Sequence, residues 1–598
     1  MTLLPPTPGR PGRTVRFSDL AALRCAPALV AAALLAACSS TPLPPWPTQT
    51  PAGSSPRPAR VVPAPLGGPQ ASQEAEAGAV TVTPIPPGSG PAEAAATPLV
   101  AGAAALEARF PAPAVRYDTP GLADGRRAFT TNAELEQWLR HWAANRSGST
   151  RMQVLDIGRS QRGTPLLALV ATRARGTDVA ALEDSGRPTV LLIGQQHGDE
   201  PASAEALLIV ARELAPGGLL EPMLEAINVI VVPRANPDGS EAGQHLLANG
   251  VDLDRDHLLL ATPEAQALAR LVRNYRPIAV VDAHEHAVAG PLLERHGVLP
   301  RADLMIGHAT TPNLPEFMVK AAREWYEAPM ARALDTAGLR QEPYHAFPTG
   351  QPTAQRLSTG STEAADARNV NGLKNAVSLM ITSRGADLDR MHLQRRVHAH
   401  VTALSSALRS TVERAADLEA VRSYEARDTA SQACRGELVV RARGTALQRE
   451  LLAIDPQTGL DRPLHLQWDS TQELEPVTRR ARPCGYWLSA GAAAAIERLR
   501  LLGVQMLRVA EPGAVLADSY EQVGAGAGAQ MQLSLRRGLV DVPEGSYYVP
   551  LSQPLANLVV AALEPDTDGS YLSHRLIGHL SDALRVMGHP SLVFEEMD

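Results

Sequence analysis

Few of the 598 residues are cysteines, and the four that occur are Cys25, Cys38, Cys434 and Cys484. None of them shows C-x-x-C spacing, which argues against a thiolate zinc finger or a redox dithiol motif. An excess of basic residues is also lacking, and the formal net charge of −7 argues against a nucleic-acid-binding protein. Beyond the N-terminal segment, no apolar run reaches the roughly 18 residues of a transmembrane helix, so we expect the rest of the chain to be soluble.

The remaining composition is that of a globular protein, with 44% hydrophobic and 20% charged residues. A chain of 598 residues is too long for one hydrophobic core, because single cores stop growing at roughly 250–300 residues. The length therefore predicts two folded domains with additional tails.

Residues 1–37 have the features of a signal peptide. Several arginines precede the apolar run APALVAAALLAA, which is too short for a permanent membrane helix. The run ends in LAACSS, which resembles the cleavage box of bacterial lipoproteins and implies cleavage before Cys38 and acylation of its thiol. Ser39 resembles an outer-membrane sorting signal. We therefore expect a lipid-anchored protein of the bacterial cell envelope, on the outer membrane facing the periplasm, with a plain secretory peptide as the alternative.

Composition divides the rest of the chain into three parts. Residues 38–114 are rich in Pro, Ala, Gly, Ser and Thr, which predicts a disordered linker because such a segment buries too little apolar surface to fold. Residues 115–418 have the patterning of a folded domain, whereas the short strand-like runs of 419–598 predict a second, β-rich domain. Cys434 and Cys484 lie in this second domain, where they are either paired in an oxidising periplasm or buried as free thiols.

Strand-like and helix-like segments alternate within the first domain. Continuous apolar runs such as PTVLLIG, INVIVV and IAVVDAH are typical of strands buried on both faces. Amphipathic segments such as SAEALLIVARELA and PEAQALARLVRNY lie between these runs and predict helices. This order predicts an α/β fold with a mixed, largely parallel sheet flanked by helices. The segment 290–370 lacks such regularity and predicts long loops.

A histidine and a glutamate three residues apart follow the first of these apolar runs. They are His197 and Glu200 in GQQHGDEP, and a second histidine, His284, ends the later run IAVVDAH. Ligands gather at the carboxyl ends of strands in a parallel sheet, which is where both histidines fall. Two histidines and one carboxylate can hold a catalytic zinc that keeps one position open. The pattern predicts one Zn²⁺ per chain, bound by His197, Glu200 and His284, with His286 as a polar neighbour.

The order H-x-x-E followed by a distant histidine resembles the carboxypeptidase A-type zinc carboxypeptidase family, as do NPDG at 236–239 and DLDR at 252–255. The resemblance implies that Asp252 orients the first zinc histidine and that Arg255 binds the C-terminal carboxylate of a substrate. A guanidinium suits that role because it can grip a carboxylate through two parallel hydrogen bonds. We place Asp254 in the same substrate-binding site, although the family has asparagine there, so Arg255 or a proton must offset its repulsion of a substrate carboxylate.

Two further departures from the family concern catalysis. The family carries an oxyanion-stabilising arginine before the DLDR motif, whereas the stretch GQHLLANG offers none, and the nearest preceding arginine is Arg234. The strand NAVSLMITSRG resembles the family's last sheet strand, in which Thr382 occupies the position of the general-base glutamate. A threonine hydroxyl does not titrate near neutral pH, and general acid–base help is worth roughly 10²–10⁴ in rate. No catalytic residue is therefore assigned, and Glu285 and Glu363 are candidates for a substitute base.

Together these features predict a zinc metallocarboxypeptidase of the cell envelope that hydrolyses amide bonds near a free C-terminal carboxylate. Its expected partners are the membrane and a peptide, or the stem peptide of peptidoglycan, but no nucleic acid. Three alternatives stay open: a catalytically weakened or inactive zinc-site protein that binds peptide C-termini, an amino-acid deacylase with the same metal ligands, and a passive scaffold without metal. The sequence leaves the oligomeric state and the side-chain preference open.

Overall fold

The computed structural model of the chain describes residues 103–145, 148–348, 356–525, 531–567 and 569–595. The predicted signal peptide, most of the predicted linker and Cys38 lie outside the described residues. No helix in the described part is both long enough and apolar enough to cross a membrane.

Eight strands of the described chain form a central sheet. These eight strands are β1 (Arg151–Arg159), β2 (Pro165–Thr172), β3 (Thr189–Gly194), β4 (Asn228–Val232), β5 (Ala279–His286), β6 (Leu304–His308), β7 (Gln341–Pro343) and β9 (Val377–Arg384). Strand β8 (Arg356–Ser358) lies between β7 and β9 in the chain but belongs to a second sheet. The order of the strands in the central sheet is β1-β2-β4-β3-β5-β9-β6-β7. The inner strands β4, β3, β5 and β9 run parallel, and the outer pairs are mostly antiparallel. The predicted mixed, largely parallel sheet is confirmed.

Helices cover both faces of this sheet. They are α1 (Ala103–Arg109), α2 (Asn132–Ala143), α3 (Val179–Asp184), α4 (Pro201–Glu213), α5 (Pro237–Ala242), α6 (Pro263–Tyr275), α7 (Pro291–His296), α8 (Glu316–Ala321), α9 (Ala328–Thr336), α10 (Ala367–Leu373), α11 (Leu393–Ser431), α12 (Ala493–Leu502) and α13 (Ala556–Leu563). Apolar side chains of α4 and α11 pack in one core cluster with one face of the sheet. Side chains of α6, α12 and α13 pack in a second cluster with the other face.

Local sequence explains where these elements form. All residues of β3 and β4 are buried, as expected for continuous apolar runs that helices cover on both sides. Helix α2 begins at a capping box, because the Thr131 side chain accepts a hydrogen bond from the Glu134 amide and Glu134 accepts one from the Thr131 amide. Such reciprocal bonds satisfy amides that have no partner inside the helix.

The C-terminal part of the chain is rich in strands, as predicted. They are β10 (Glu437–Ile454), β11 (Asp461–Ala481), β12 (Gly485–Leu488), β13 (Leu507–Val509), β14 (Gly513–Ala525), β15 (Met531–Val542), β16 (Tyr547–Pro550), β17 (Ala583–Val586) and β18 (Phe594–Glu595). Strands β10 and β11 form a sheet with β8, and the remaining seven form another sheet. Helix α11 runs through the expected domain boundary at 418/419, and the second core cluster joins residues from both sides of it. The division into domains at that point stays a prediction.

The expected long loops of 290–370 are wrong in part, and the predicted linker ends in a short helix. The segment 290–370 contains four helices and strands β6 to β8 in its described residues, because its apolar residues complete the edge of the central sheet. The predicted linker is also folded at its end, where α1 is followed by Phe110, whose side chain is only 1% exposed. The Phe110 ring lies 3.6 Å below the guanidinium of Arg384, which ties this segment to β9.

Cys434 and Cys484 form a disulfide that joins residues 50 positions apart, at the end of α11 and the start of β12. A crosslink over a loop of this length restricts the unfolded chain and should stabilise the fold by about 4 kcal/mol. We therefore expect Cys484→Ala, made with Cys434→Ala to avoid a free thiol, to lower the free energy of unfolding by about that amount. Urea unfolding measures it, and two alkylatable thiols in the native protein would contradict the pairing.

Candidate metal centre

The turn after β3 and the end of β5 bring three polar side chains together. His197 and Glu200 lie in the turn that leads from β3 into α4, and His284 lies near the end of the adjacent parallel strand β5. Nδ1 of His197 lies 2.8 Å from Oε1 of Glu200, and Nδ1 of His284 lies 3.1 Å from Oε2 of the same carboxylate. The two Nδ1 atoms are 3.2 Å apart. All three side chains are buried, so the structure brings the predicted zinc ligands to one point.

A carboxylate stands behind each of the two histidines. Nε2 of His197 lies 3.1 Å from Oδ1 of Asp252, and Nε2 of His284 lies 2.9 Å from Oδ2 of Asp282. Such carboxylates hold a ligating imidazole in one orientation and leave Nδ1 to face the metal. The sequence suggested Asp252 but not Asp282, although Asp282 precedes His284 by two residues and therefore projects from the same face of β5.

Charge within this cluster shifts the pKa of each member. Burial lowers the pKa of His197, but the Glu200 carboxylate and the hydrogen bond to Asp252 outweigh burial and raise it to about 10. Burial is likewise outweighed at His284, where Asp282 and Glu200 raise the pKa well above its usual value. Burial opposes ionisation of Glu200, yet the two histidines hold its pKa below the usual range. A cation that binds here must therefore displace protons from both imidazoles.

The donor set fits a zinc ion. One ligand atom from each of His197, Glu200 and His284 lies within 4.8 Å of the others, and all three residues are buried. Two imidazole nitrogens and a carboxylate oxygen are the ligands of catalytic zinc sites, and the outward nitrogens already face carboxylates. These three side chains would hold the metal.

The sequence of the chain is similar to that of known carboxypeptidases. A family model described as zinc carboxypeptidase matches residues 135–266. Carboxypeptidase 2 of Trichophyton rubrum is 25% identical over 473 residues, which cover 76% of this chain and 86% of that protein. Carboxypeptidase SOL1 of Arabidopsis thaliana is 29% identical over 184 residues, which cover 28% of this chain and 36% of that protein.

These matches support assignment of the chain to the metallocarboxypeptidase family. The protein is a peptidase of the metallocarboxypeptidase type. Among solved structures, carboxypeptidase A from Helicoverpa armigera aligns with a TM-score of 0.37 and 15% identity, over 52% of this chain and 80% of that one. The metallo-carboxypeptidase from Burkholderia cenocepacia aligns with a TM-score of 0.35 and 16% identity, over 47% and 68%. The assignment rests on the sequence matches.

Two pairs of polar side chains that the sequence did not suggest lie around the metal ligands of this peptidase. The His245 ring stacks on the His197 ring with centroids 3.7 Å apart, and Nδ1 of His245 lies 3.1 Å from Oδ1 of Asp199. Gln196 donates to Asp282 over 2.5 Å, and its oxygen lies 2.8 Å from Nε2 of His257. Burial lowers the pKa of His257 to about 4, so this histidine is neutral. Only the folded chain brings these groups to the site.

Thr382 lies beside the metal ligands of the peptidase. It pairs with His284 across β5 and β9 and therefore projects from the same face of the sheet. Its Oγ1 lies 3.5 Å from Nδ1 of His286, whose pKa burial lowers to about 3. Nε2 of His286 is buried without a hydrogen-bond partner in the described part of the chain. Proximity to the site agrees with the expected alignment of Thr382, but its chemistry stays that of a hydroxyl.

Glu285 does not serve as a substitute base, and this expectation is wrong. Strand alternation sends its side chain to the face opposite that of His284. There it accepts hydrogen bonds from the Ala202 amide over 2.6 Å and from Nε of Arg396 over 2.8 Å. Glu363, the other candidate, is exposed on the loop before α10.

Arg255 lies among carboxylates in the structure. Its Nε is 3.3 Å from Oδ2 of Asp252, and its side chain is 41% exposed. Burial lowers its pKa, but Asp366, Asp252 and other carboxylates raise it overall. Asp254 is half-buried and lies with Asp282 and His284 in a group whose ligand atoms are within 4.8 Å of one another. The binding roles of Arg255 and Asp254 stay predictions, and four carboxylates act on Arg255, those of Asp366, Asp252, Glu363 and Asp254.

The Arg234 guanidinium is engaged in hydrogen bonds within the fold. It is buried and donates to the Gln195 side chain, the Asn132 side chain and the Thr130 carbonyl over 2.6–2.7 Å. These bonds connect the start of α2 with the turn after β3, and so Arg234 is a structural residue.

Replacing Asp282 with asparagine tests the carboxylate behind His284. Because second-layer carboxylates orient ligating histidines and raise their basicity, Asp282→Asn should weaken zinc affinity roughly 10- to 100-fold. Competition with a chromophoric chelator measures the affinity, and Asp335→Asn, at an exposed position, is the matched control. Equal affinities of the two variants would show that Asp282 does not support the metal ligand.

Proposed function

We propose that the protein is a zinc-dependent carboxypeptidase that hydrolyses the amide bond next to a free C-terminal carboxylate. The convergence of His197, Glu200 and His284 on one point, with a carboxylate behind each histidine, is the observation that carries this proposal. Zinc bound there supplies Lewis-acid polarisation of the scissile carbonyl and activates a water molecule for attack.

The chain's own residues define what happens around the bond that breaks. Asp252 and Asp282 lie 3.1 and 2.9 Å behind the two imidazoles, and we expect them to orient the ligating nitrogens when zinc is bound. His286 and Thr382 lie on the same face of the sheet as His284 and bound the site on that side. Thr382 has no titratable group, and Glu285 lies on the opposite face of the sheet, so neither can accept the proton of an attacking water. We therefore expect hydrolysis to be slower than with a glutamate base at this site.

The location proposed for this activity is the bacterial cell envelope. The sequence LAACSS supports a lipid anchor at Cys38 on the outer membrane, facing the periplasm, and the proposed substrates are peptides or peptidoglycan stem peptides. The disulfide Cys434–Cys484 is compatible with an oxidising compartment. Metabolic labelling with a fatty-acid analogue tests the anchor, since Cys38→Ala should lose the label while Cys25→Ala keeps it.

Zinc content and peptide trimming test the proposed activity together. We expect about one zinc per chain and stepwise removal of C-terminal residues from a peptide library read by mass spectrometry, because the ligand set leaves one position open. His197→Ala should lose both the zinc and the trimming. The exposed variant Asp335→Asn should keep both.

The other outcomes separate the competing functions. Zinc bound without trimming would favour a protein that binds peptide C-termini, for which the threonine at position 382 is the motivating observation. Release of acyl groups from acylated amino acids without trimming of peptides would favour a deacylase. Trimming that survives in His197→Ala would contradict the proposed centre.

Thr382→Glu tests whether this position is that of the missing base. A carboxylate on the His284 face of β9 could take a proton from the attacking water and pass it to the leaving amine. We expect kcat to rise by roughly 10²-fold or more if the backbone geometry suits that role. Thr382→Gln is the matched control, since it has the same size without a base. An equal kcat for both variants would show that the position is not that of the general base.

A further inference from the structure

Arg368, near the start of α10, is a buried cation with few hydrogen-bond acceptors around its guanidinium. Its side chain is 6% exposed, and Nε is buried without a hydrogen-bond partner among the described residues. Nη1 donates to the thioether sulfur of Met380 over 3.5 Å, and Nη2 lies 4.0 Å from Oδ2 of Asp366. A guanidinium carries five N–H donors and a thioether is a weak acceptor, so most of these donors lack an oxygen partner. Buried polar groups in folded proteins are normally satisfied.

A change of protonation state cannot relieve this mismatch at Arg368. A guanidinium stays charged at all accessible pH values, whereas a buried carboxyl group can take up a proton. Burial and the nearby Asp254 raise the pKa of Asp366 to about 7, although Arg368 and Arg255 oppose the shift. Oδ1 of Asp366 is likewise buried without a hydrogen-bond partner in the described part of the chain. Arg368 therefore has a carboxylate neighbour at 4.0 Å but no hydrogen bond to it.

The guanidinium of Arg368 borders the candidate metal centre. Met380, which it contacts, pairs with Asp282 across β5 and β9, one step along the sheet from the pair formed by His284 and Thr382. Asp282 in turn lies 2.9 Å from His284. Arg368 therefore lies on the face of the sheet from which the metal ligands project, and Met380 and Asp282 connect it to His284.

Tyr344 lies close to both Arg368 and the candidate metal centre. The Tyr344 ring centroid lies 5.0 Å from Cζ of Arg368. Burial raises the pKa of Tyr344, and the charges that act on it include those of Arg368, Asp254 and His284. Tyr344 thus lies within electrostatic reach of both Arg368 and a metal ligand. An anion bound to Arg368 would therefore lie close to Tyr344, which is also close to the metal ligand His284.

We propose that Arg368 binds a carboxylate of the substrate residue that follows the scissile bond. This proposal rests on the proposed carboxypeptidase function and adds a specificity-determining residue to it. The carboxylate is either the C-terminus itself or the side chain of a terminal acidic residue, and bidentate contact with a guanidinium suits both. Arg255 already faces Asp252 and further carboxylates, whereas Arg368 makes no hydrogen bond to an oxygen atom among the described residues.

Three peptides that differ only at the last residue distinguish the two sources. They end in glutamate, in glutamine and in glutamine amide, so one pair differs in the side-chain carboxylate and the other in the terminal carboxylate. In Arg368→Gln we expect KM to rise roughly 10- to 100-fold for the peptides that carry the recognised carboxylate, with little change for the peptide that lacks it. Arg368→Lys should recover part of the loss, and the exposed Arg323→Gln should match the wild type.

Two results would overturn the proposal. One is an unchanged discrimination within both pairs in Arg368→Gln. The other is an equal loss on all three peptides together with a lower unfolding temperature, which would indicate a structural role. Should Arg368→Gln fail to fold, Arg368→Lys decides: wild-type KM values for all three peptides would also overturn the proposal, because lysine cannot form the bidentate contact.

Calorimetry separates failure of this proposal from failure of the proposed enzymatic function. The probes are N-acetylglutamate, N-acetylglutamine and N-acetylglutamine amide, and binding of these compounds needs no hydrolysis. Binding of a carboxylate probe by the wild type, with at least 10-fold weaker binding by Arg368→Gln, supports the role of Arg368 even if no peptide is cleaved. Equal binding by both proteins contradicts the role of Arg368 even if peptides are cleaved.

Discussion

The buried carboxylate of Glu285 fixes the elements that carry the metal ligands relative to one another. It lies on β5 directly after His284, accepts a hydrogen bond from the Ala202 amide just after Glu200, and pairs with Arg396 on α11. Burial raises the pKa of Glu285 to about 7 despite Arg396. One side chain thus joins the strand with one histidine, the helix that follows the other two ligands, and the long helix behind the sheet. The distances between the ligand atoms depend on this connection from the opposite face.

The arrangement explains how the site can retain its metal ligands while its catalytic and recognition groups diverge from the family pattern. Asp252 and Asp282 lie behind the two histidines, and Glu285 connects their elements from the opposite face of the sheet. Thr382, which we expect at the base position of the family, lies beside them, and carboxylates surround Arg255, which we expect to bind the substrate carboxylate. An arginine from another segment, Arg368, lies next to the same strands with unmatched donors. In this account, metal binding and substrate recognition depend on separate groups, which can change independently.

How much of this could be predicted depends on whether the relevant contact follows the periodicity of one element. His197, Glu200 and His284 could be placed together because the ends of adjacent parallel strands meet at one edge of the sheet. The opposite orientation of Glu285 and the shared face of Asp282 also follow from strand alternation, which is incompatible with Glu285 as a base. Arg368, Asp366 and Tyr344 come from a segment without clear periodicity. Their positions depend on tertiary packing, as does the inward orientation of Arg234, and no local pattern indicates them.

Anomalous diffraction at the zinc edge, from crystals of the wild-type protein grown with zinc, tests the central claim most directly. The account predicts one strong peak bounded by Nδ1 of His197, Nδ1 of His284 and the Glu200 carboxylate. A peak located only beside Asp254 and Asp282, or no peak among these side chains, would contradict it.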